Sequence, residues 1–367
     1  MAADGMPITN RLDGTTERKL HAKVIDNVLN APTLGSRVLS KAKQFEGKTM
    51  DFTVDITQST QFEWFTGLPT LNSSAEDTAI TLSYAPTAGS QPKVSIMLES
   101  FANAGQLGTI PLDAYKYAKA AQEVIRNVAT AIYGTGAGDQ PNGFQAIVDN
   151  GTNAGTIGGQ SRTTYTALNA GAYTNFSATL TLAKLGTLDD NAAKGSELGA
   201  VPGLNATTFT VWSLYEQLLD PNVRANYEAS GFPRLSVRGD GTTSAASLGG
   251  AAGFISLHHR GMPLVKDKFA TSGVWYKFNE SSYDYFGLTI VPDEYAELGI
   301  KKVNLGSMEA YESLAAQEAP SEFNGFFYQP PIMMPDQPGT IARFYVMGQM
   351  MTWNPRLNAQ GHTISAV

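Results

Sequence analysis

The chain has 367 residues, 33 acidic against 26 basic side chains, a formal charge of −7 and no cysteine, which excludes disulfides, thiolate metal sites and thiol nucleophiles together. The acidic balance argues against a general nucleic-acid binder, because backbone binding requires Lys and Arg to neutralise phosphates. Charged residues make up 16% of the sequence against about 25% in ordinary soluble domains, which fits a surface partly covered by other subunits and equally a merely polar one.

Met1 is followed by Ala2-Ala3-Asp4-Gly5 with no basic start leading into an apolar run, so no secretory signal is expected. No stretch approaches the roughly 20 apolar residues of a membrane span.

Residues 1–48 are mixed and polar, with Arg11, Arg18, Lys19, Lys23, Arg37, Lys41, Lys43 and Lys48 outnumbering the acids, and read as an arm carrying one short helix. Met50, Phe52, Val54 and Ile56 then alternate with Asp51, Thr53, Asp55 and Thr57, the period of a strand with one buried face. Further strand-like runs at 78–84 and 93–98 make residues 49–99 a long two-stranded excursion. A ribbon of two strands is marginal in water, so it is expected to rest on another subunit.

Pro111 suits the first position of a helix and Asp113 the positive end of its dipole. Tyr117, Ala121, Val124, Val128 and Ile132 follow at helical spacing, and Gly134 stands where a C-cap glycine belongs. The run "YGTGAGDQPNGF" at 133–144 resembles a phosphate-binding glycine loop in composition alone. Such a loop must follow a strand, open a helix and carry Lys-Ser or Lys-Thr, whereas these glycines close a helix.

Residues 150–206 read as loops and a short amphipathic helix near 180–188. Thr207 to Val211 reads as a strand entering a helix from Ser213 to Leu219. Strands also fit 253–257, 264–267 and 274–278, with Gly261-Met262-Pro263 as a turn. Ala342 to Trp353, "ARFYVMGQMMTW", has the apolar density of a central strand, in which Met347, Met350, Met351 and Trp353 read as core packing.

Among the four histidines only His258 and His259 are adjacent, and adjacent residues on a strand face opposite ways. No metal-ligand spacing and no Gly-x-Ser-x-Gly elbow accompanies them, so no catalytic, cofactor or metal residue is assigned.

The order of these elements, with "IYGTGAGDQPNGFQAIVDNGT", "HHRGMPLVKD" and "QPPIMMPDQPGTIARFYVMGQMMTWNPR", resembles the major capsid proteins of tailed bacteriophages with the Hong Kong 97-type fold. The resemblance covers nearly the whole chain. It implies an α+β shell fold with an N-terminal arm (1–48), an extended β-hairpin E-loop (49–99), a peripheral domain (100–144) with a spine helix at 111–133, a mixed α/β axial domain (145–335) and a return to the peripheral domain (336–367). It implies a non-enzymatic protein that assembles as hexamers and pentamers into an icosahedral shell around double-stranded DNA, without sequence-specific binding and without a membrane. The location implied is the virion, after assembly in the host bacterial cytoplasm, with separate scaffolding, portal and decoration proteins as partners and no cofactor.

Residues 49–92 contain no Lys or Arg. The inter-subunit contacts expected in the E-loop are therefore Asp51, Asp55, Glu63, Trp64, Glu76 and Asp77, meeting basic residues of a neighbour. Some members of the family fuse subunits through an E-loop lysine; with none between Lys48 and Lys93, non-covalent contacts are expected here. An encapsulin-type compartment shares the fold, and a cytosolic α/β enzyme is the alternative of a different class.

Overall fold

The computed structural model describes residues 33–56, 62–68, 70, 79–104, 112–194, 202–219, 257–303 and 325–365. Two six-stranded sheets organise them. The first runs β1 (Lys43–Phe45), β12 (Tyr283–Leu288), β15 (Gly339–Thr352), β14 (Phe326–Met333), β13 (Lys301–Lys302), with β4 (Thr87–Ile96) also paired to β15. The second runs β7 (Ala172–Ala178), β16 (Ala359–Ile364), β11 (Trp275–Phe278), β8 (Leu204–Thr207), β10 (Met262–Lys266), β9 (Leu257–His259). Two separate ribbons pair β2 (Met50–Asp55) with β3 (Ala79–Tyr84) and β5 (Thr156–Ile157) with β6 (Gln160–Ser161). The helices are α1 (Thr33–Ser40), α2 (Met97–Asn103), α3 (Leu112–Ile132), α4 (Phe144–Ile147), α5 (Leu182–Lys194), α6 (Phe209–Leu218) and α7 (Asp293–Glu297). None of them is long and apolar enough to cross a membrane.

α3 lies across β4 and β15 because its apolar residues fall on one stripe: Ala120, Ala121, Val124, Val128 and Ile132 are all buried. Pro111 lies outside the described residues. At the other end the Gly134 amide donates to the Ala131 carbonyl at 2.8 Å, but the left-handed residues are Gly136 (φ 71°) and Gly138 (φ 66°), not Gly134 as expected from sequence. The run 133–144 folds back over the helix end and delivers Phe144 into the core. There its ring lies 4.2 Å from that of Phe278 and 5.2 Å from that of Tyr283, centroid to centroid. Gly143 makes this close return feasible: a Cβ there would stand 2.5 Å from the Ala131 carbonyl oxygen and against Gly134. Gly143→Ala should therefore cost about 3 kcal/mol, the scale of overpacking a tight site, read as a lower urea midpoint with unchanged slope.

One buried cluster joins both sheets through α1, α3 and α4, and includes Leu34, Val128, Phe144, Tyr276, Phe278, Tyr285, Phe326 and Phe344. Asp267, fully buried, ties these elements together by accepting from the Leu34 amide at 3.0 Å, the Phe269 amide at 2.9 Å and the Tyr133 hydroxyl at 3.3 Å.

The structure departs from the sequence expectations at several places. Residues 93–98 do not continue the excursion: 87–96 form β4, paired along its length with 339–348 of β15, so the ribbon closes at Tyr84. That ribbon does not depend on a neighbour for its inner face, because Ile80, Leu82 and Tyr84 pack on Phe45, Ile157, Leu168, Phe286 and Met351 of the same chain. The strand expected at Thr207 ends there, and α6 begins at Phe209 because the Thr208 hydroxyl caps it, accepting from the Val211 amide. The sheets interleave along the chain: β12, β13 and β14 join β15 in the first, while β16 joins β7 and β11 in the second. Residues 150–206, expected as loops and one short helix, also carry β5, β6, β7 and β8. The turn expected at Gly261-Met262-Pro263 is instead Arg260-Gly261, both left-handed, and Met262 and Pro263 belong to β10 of the β9–β10 hairpin. The strand expected at 342–353 is β15, with Met350 and Met351 in the core.

Candidate interaction surface

The ribbon β2–β3 has two unlike faces, as its alternation dictates. Its inner face carries Phe52, whose ring lies 5.9 to 6.4 Å from those of Trp353, Phe286 and Tyr84, and the Lys43 ammonium sits over Phe286 and Trp353. The β5–β6 turn grips β3 from the side: the Ser83 backbone amide donates to the Gly158 carbonyl at 3.0 Å and the Gln160 side-chain Nε2 to the Thr81 carbonyl at 3.0 Å. The base is thus fixed in register.

Asp51 and Asp55 stand on the outer face with Thr53, all exposed, and Asp51 accepts from the Ser83 hydroxyl. Glu63 and Trp64 lie farther out, where Trp64 is 91% exposed and stacks edge-on with Phe62 at 5.1 Å. Glu76 and Asp77 lie outside the described residues. Sequence reasoning missed the apolar character of this tip: Phe62, Phe65 and Leu68 are also exposed. Its signal was legible in "QFEWFTGLP", aromatic residues within a polar run, since exposed apolar patches mark contact surfaces.

A second apolar patch went unread. Ile96, Met97, Leu98 and Phe101 are exposed at the end of β4 and in α2, with Ile332 and Met333 exposed on β14. The register joins them, because Gly339 pairs with Ile96 and Thr340 with Met333 across the start of β15. Lys93, which ends the lysine-free stretch, is buried with its ammonium 3.8 Å over the Tyr117 ring.

A cleft of about 420 Å³ between α3, β4 and the 137–141 turn is lined by Gln91, Asn127, Asp139 and Phe344 among others. In the glycine run beside it the Asn142 amide is taken by Gln349 Oε1 at 2.7 Å and the Gly134 amide by the Ala131 carbonyl, so neither is free to hold an anion.

The two histidines do face differently. His259 is buried, its Nε2 2.7 Å from Asp189 Oδ2 and its Nδ1 3.3 Å from the Tyr215 hydroxyl. The Lys277 ammonium, wholly buried, pairs with Asp189 Oδ1. Burial alone would push the Asp189 carboxyl up, but the His259 hydrogen bond and the Lys277 charge outweigh it and hold the carboxyl below the usual carboxylate range. The cluster stitches α5 to β9 and β11, and no group of three or more potential metal ligands occurs among the described residues.

No family model and no curated protein matches the chain. Solved structures do. The capsid asymmetric unit of cyanophage A-1(L) superposes with a TM-score of 0.67 at 13% identity, covering 98% of this chain and 100% of that one. The capsid of a native GTA particle gives 0.58 at 12%, covering 99% and 100%. The holo encapsulin complex of Synechococcus elongatus gives 0.54 at 8%, covering 98% and 96%. The chain has the α+β shell fold of tailed-phage major capsid proteins over nearly its full length.

Proposed function

We propose that this shell-fold chain is the major capsid protein of a tailed bacteriophage, assembling as hexamers and pentamers into an icosahedral shell around double-stranded DNA. The observation that carries the reading is the excursion: its base packs on its own chain while Phe62, Trp64, Phe65 and Leu68 are exposed to solvent, apolar side chains available to something outside the chain. A second copy of the same chain is the economical occupant, because repeated identical contacts with fixed geometry close a shell by symmetry. The E-loop then lies over a neighbouring subunit, Asp51, Asp55, Glu63 and Trp64 make inter-subunit contacts, and the patch around Ile96, Leu98, Phe101 and Met333 makes another or receives a decoration protein. The formal charge of −7 suits a wall that encloses DNA without adhering to it. Scaffolding and portal proteins are further partners, and the virion is the location.

Size-exclusion chromatography with light scattering on the purified protein, followed by negative-stain microscopy of the earliest peak, tests this. Pentamers, hexamers or closed shells support it; a monomer or dimer at every salt concentration overturns it. Particles that package protein cargo and exclude DNA in cells would move the reading to the encapsulin type. Asp51→Lys with Asp55→Lys should impair assembly, with rescue by a basic-to-acidic change in the neighbouring arm; normal assembly of the double variant refutes the charge contact.

A further inference from the structure

Two Asn-Gly pairs lie wholly among the described residues, and the fold treats them oppositely. At Asn142-Gly143 the glycine is packed onto Ala131 and Gly134, its carbonyl accepts the Ala146 and Ile147 amides at 2.9 and 3.0 Å, and the Asn142 amide is held by Gln349. At Asn150-Gly151 the asparagine is exposed and its side chain is surrounded by groups with chemical consequences. Asp149 Oδ2 accepts the Gly151 amide hydrogen at 2.9 Å. Asn150 Oδ1 accepts from the Thr152 amide at 3.2 Å and from the Thr152 hydroxyl at 2.6 Å. Asp149 is itself buried and immobilised by the Asn153 and Ala154 amides at 3.0 and 2.9 Å and by the Asn153 side chain.

We propose that Asn150-Gly151 is a self-modification site, at which the folded loop converts Asn150 through a succinimide to aspartate and isoaspartate. The Gly151 nitrogen attacks Asn150 Cγ, forming the N–Cγ bond, and gives up its proton to solvent by way of the Asp149 carboxylate, which stands within general-base reach. Negative charge developing on Asn150 Oδ1 is met by the two Thr152 donors, the arrangement that stabilises a tetrahedral oxyanion. The Cγ–Nδ2 bond breaks, and the amide nitrogen leaves as ammonia after taking up a proton. Water then opens either ring carbonyl, so the net change is loss of one ammonia and gain of one water. Glycine at the attacking position leaves the approach clear of a Cβ, and exposure of Asn150 lets ammonia out and water in. The product adds one negative charge and, as isoaspartate, one methylene to the backbone beside the immobilised Asp149.

Trypsin places both pairs in a single peptide, 127–162, because no Lys or Arg lies between Arg126 and Arg162. Native protein is incubated at mildly alkaline pH alongside protein kept unfolded in urea, and each asparagine is followed by fragment mass. The expected result is that Asn150 reacts faster in the native protein than in urea while native Asn142 stays intact, and that hydroxylamine cuts the native chain between Asn150 and Gly151. Thr152→Val should slow native Asn150 about fivefold, the size of losing one neutral hydrogen bond, with no change in urea, whereas Thr152→Ser keeps the rate. Thr152 is exposed, so the variants fold, and a melting curve verifies it. An Asn150 rate in the native protein no greater than in urea, or an unchanged rate in folded Thr152→Val, overturns the proposal.

Discussion

Replacing Phe62, Trp64 and Phe65 together by Ser is expected to abolish particle formation while leaving the subunit's melting temperature unchanged. The two halves of this result have separate causes. The tip contributes nothing to the core: Phe62, Trp64 and Phe65 are all exposed, and none joins the buried cluster beneath the ribbon. Their removal exposes no new apolar surface in the monomer and leaves no cavity. In the proposed assembly the same side chains would become buried anchors, and an interfacial Trp or Tyr commonly costs about 2 kcal/mol or more on truncation. Under that proposal every subunit would repeat the contact, so a modest loss per copy would be multiplied around the shell. The control is Phe52→Ala at the base, which removes a ring packed on Tyr84, Phe286 and Trp353 and should lower subunit stability by about 3 kcal/mol. Light scattering and thermal melting on both variants separate the roles. Normal shells from the tip variant would remove the tip from the assembly contacts.

What the sequence disclosed and what it hid follow the range of the interactions. α3 was legible because its buried stripe repeats within four residues, and β2 because its alternation is uninterrupted. β4 was misassigned because "TAGSQPKVSI" contains Gly, Ser and Pro in place of strand formers. It is a strand only by virtue of β15, to which Lys93 is joined opposite Ala342. The ribbon's inner face had the right pattern, but nothing local says that Phe45, Ile157 and Phe286 converge beneath it. The same holds for the interaction surface: the acidic residues were visible as a run without cations, whereas the second patch needs the Ile96–Gly339 and Thr340–Met333 pairings to bring two distant apolar segments together. Polar clusters were least legible of all, since Asp189 meets His259 from 70 residues away and Lys277 from 88.

That cluster carries the largest stability effect we expect. Asp189→Leu should destabilise the subunit by about 3 to 5 kcal/mol, because it strands the wholly buried Lys277 ammonium without its counter-charge. Lys277→Met should cost less, since Asp189 retains His259 at 2.7 Å and Arg260 at 3.6 Å. The double variant should recover much of the single Asp189 loss, as replacing a buried pair by apolar side chains is often close to neutral. The pH dependence has a definite sign. Asp189 is held below its usual range in the folded chain, so the unfolded chain binds its proton first. Its stabilising contribution is whole above the unfolded carboxylate value of about 4 and is lost as pH falls through the lower folded value. Urea midpoints measured downward from neutral pH should therefore fall more steeply in the wild type than in the double variant, and parallel curves would remove this pair from the acid sensitivity. The distinction matters for the proposed shell, because α5, β9 and β11 meet at this cluster, so its loss would loosen the second sheet without touching the exposed surfaces proposed as subunit contacts.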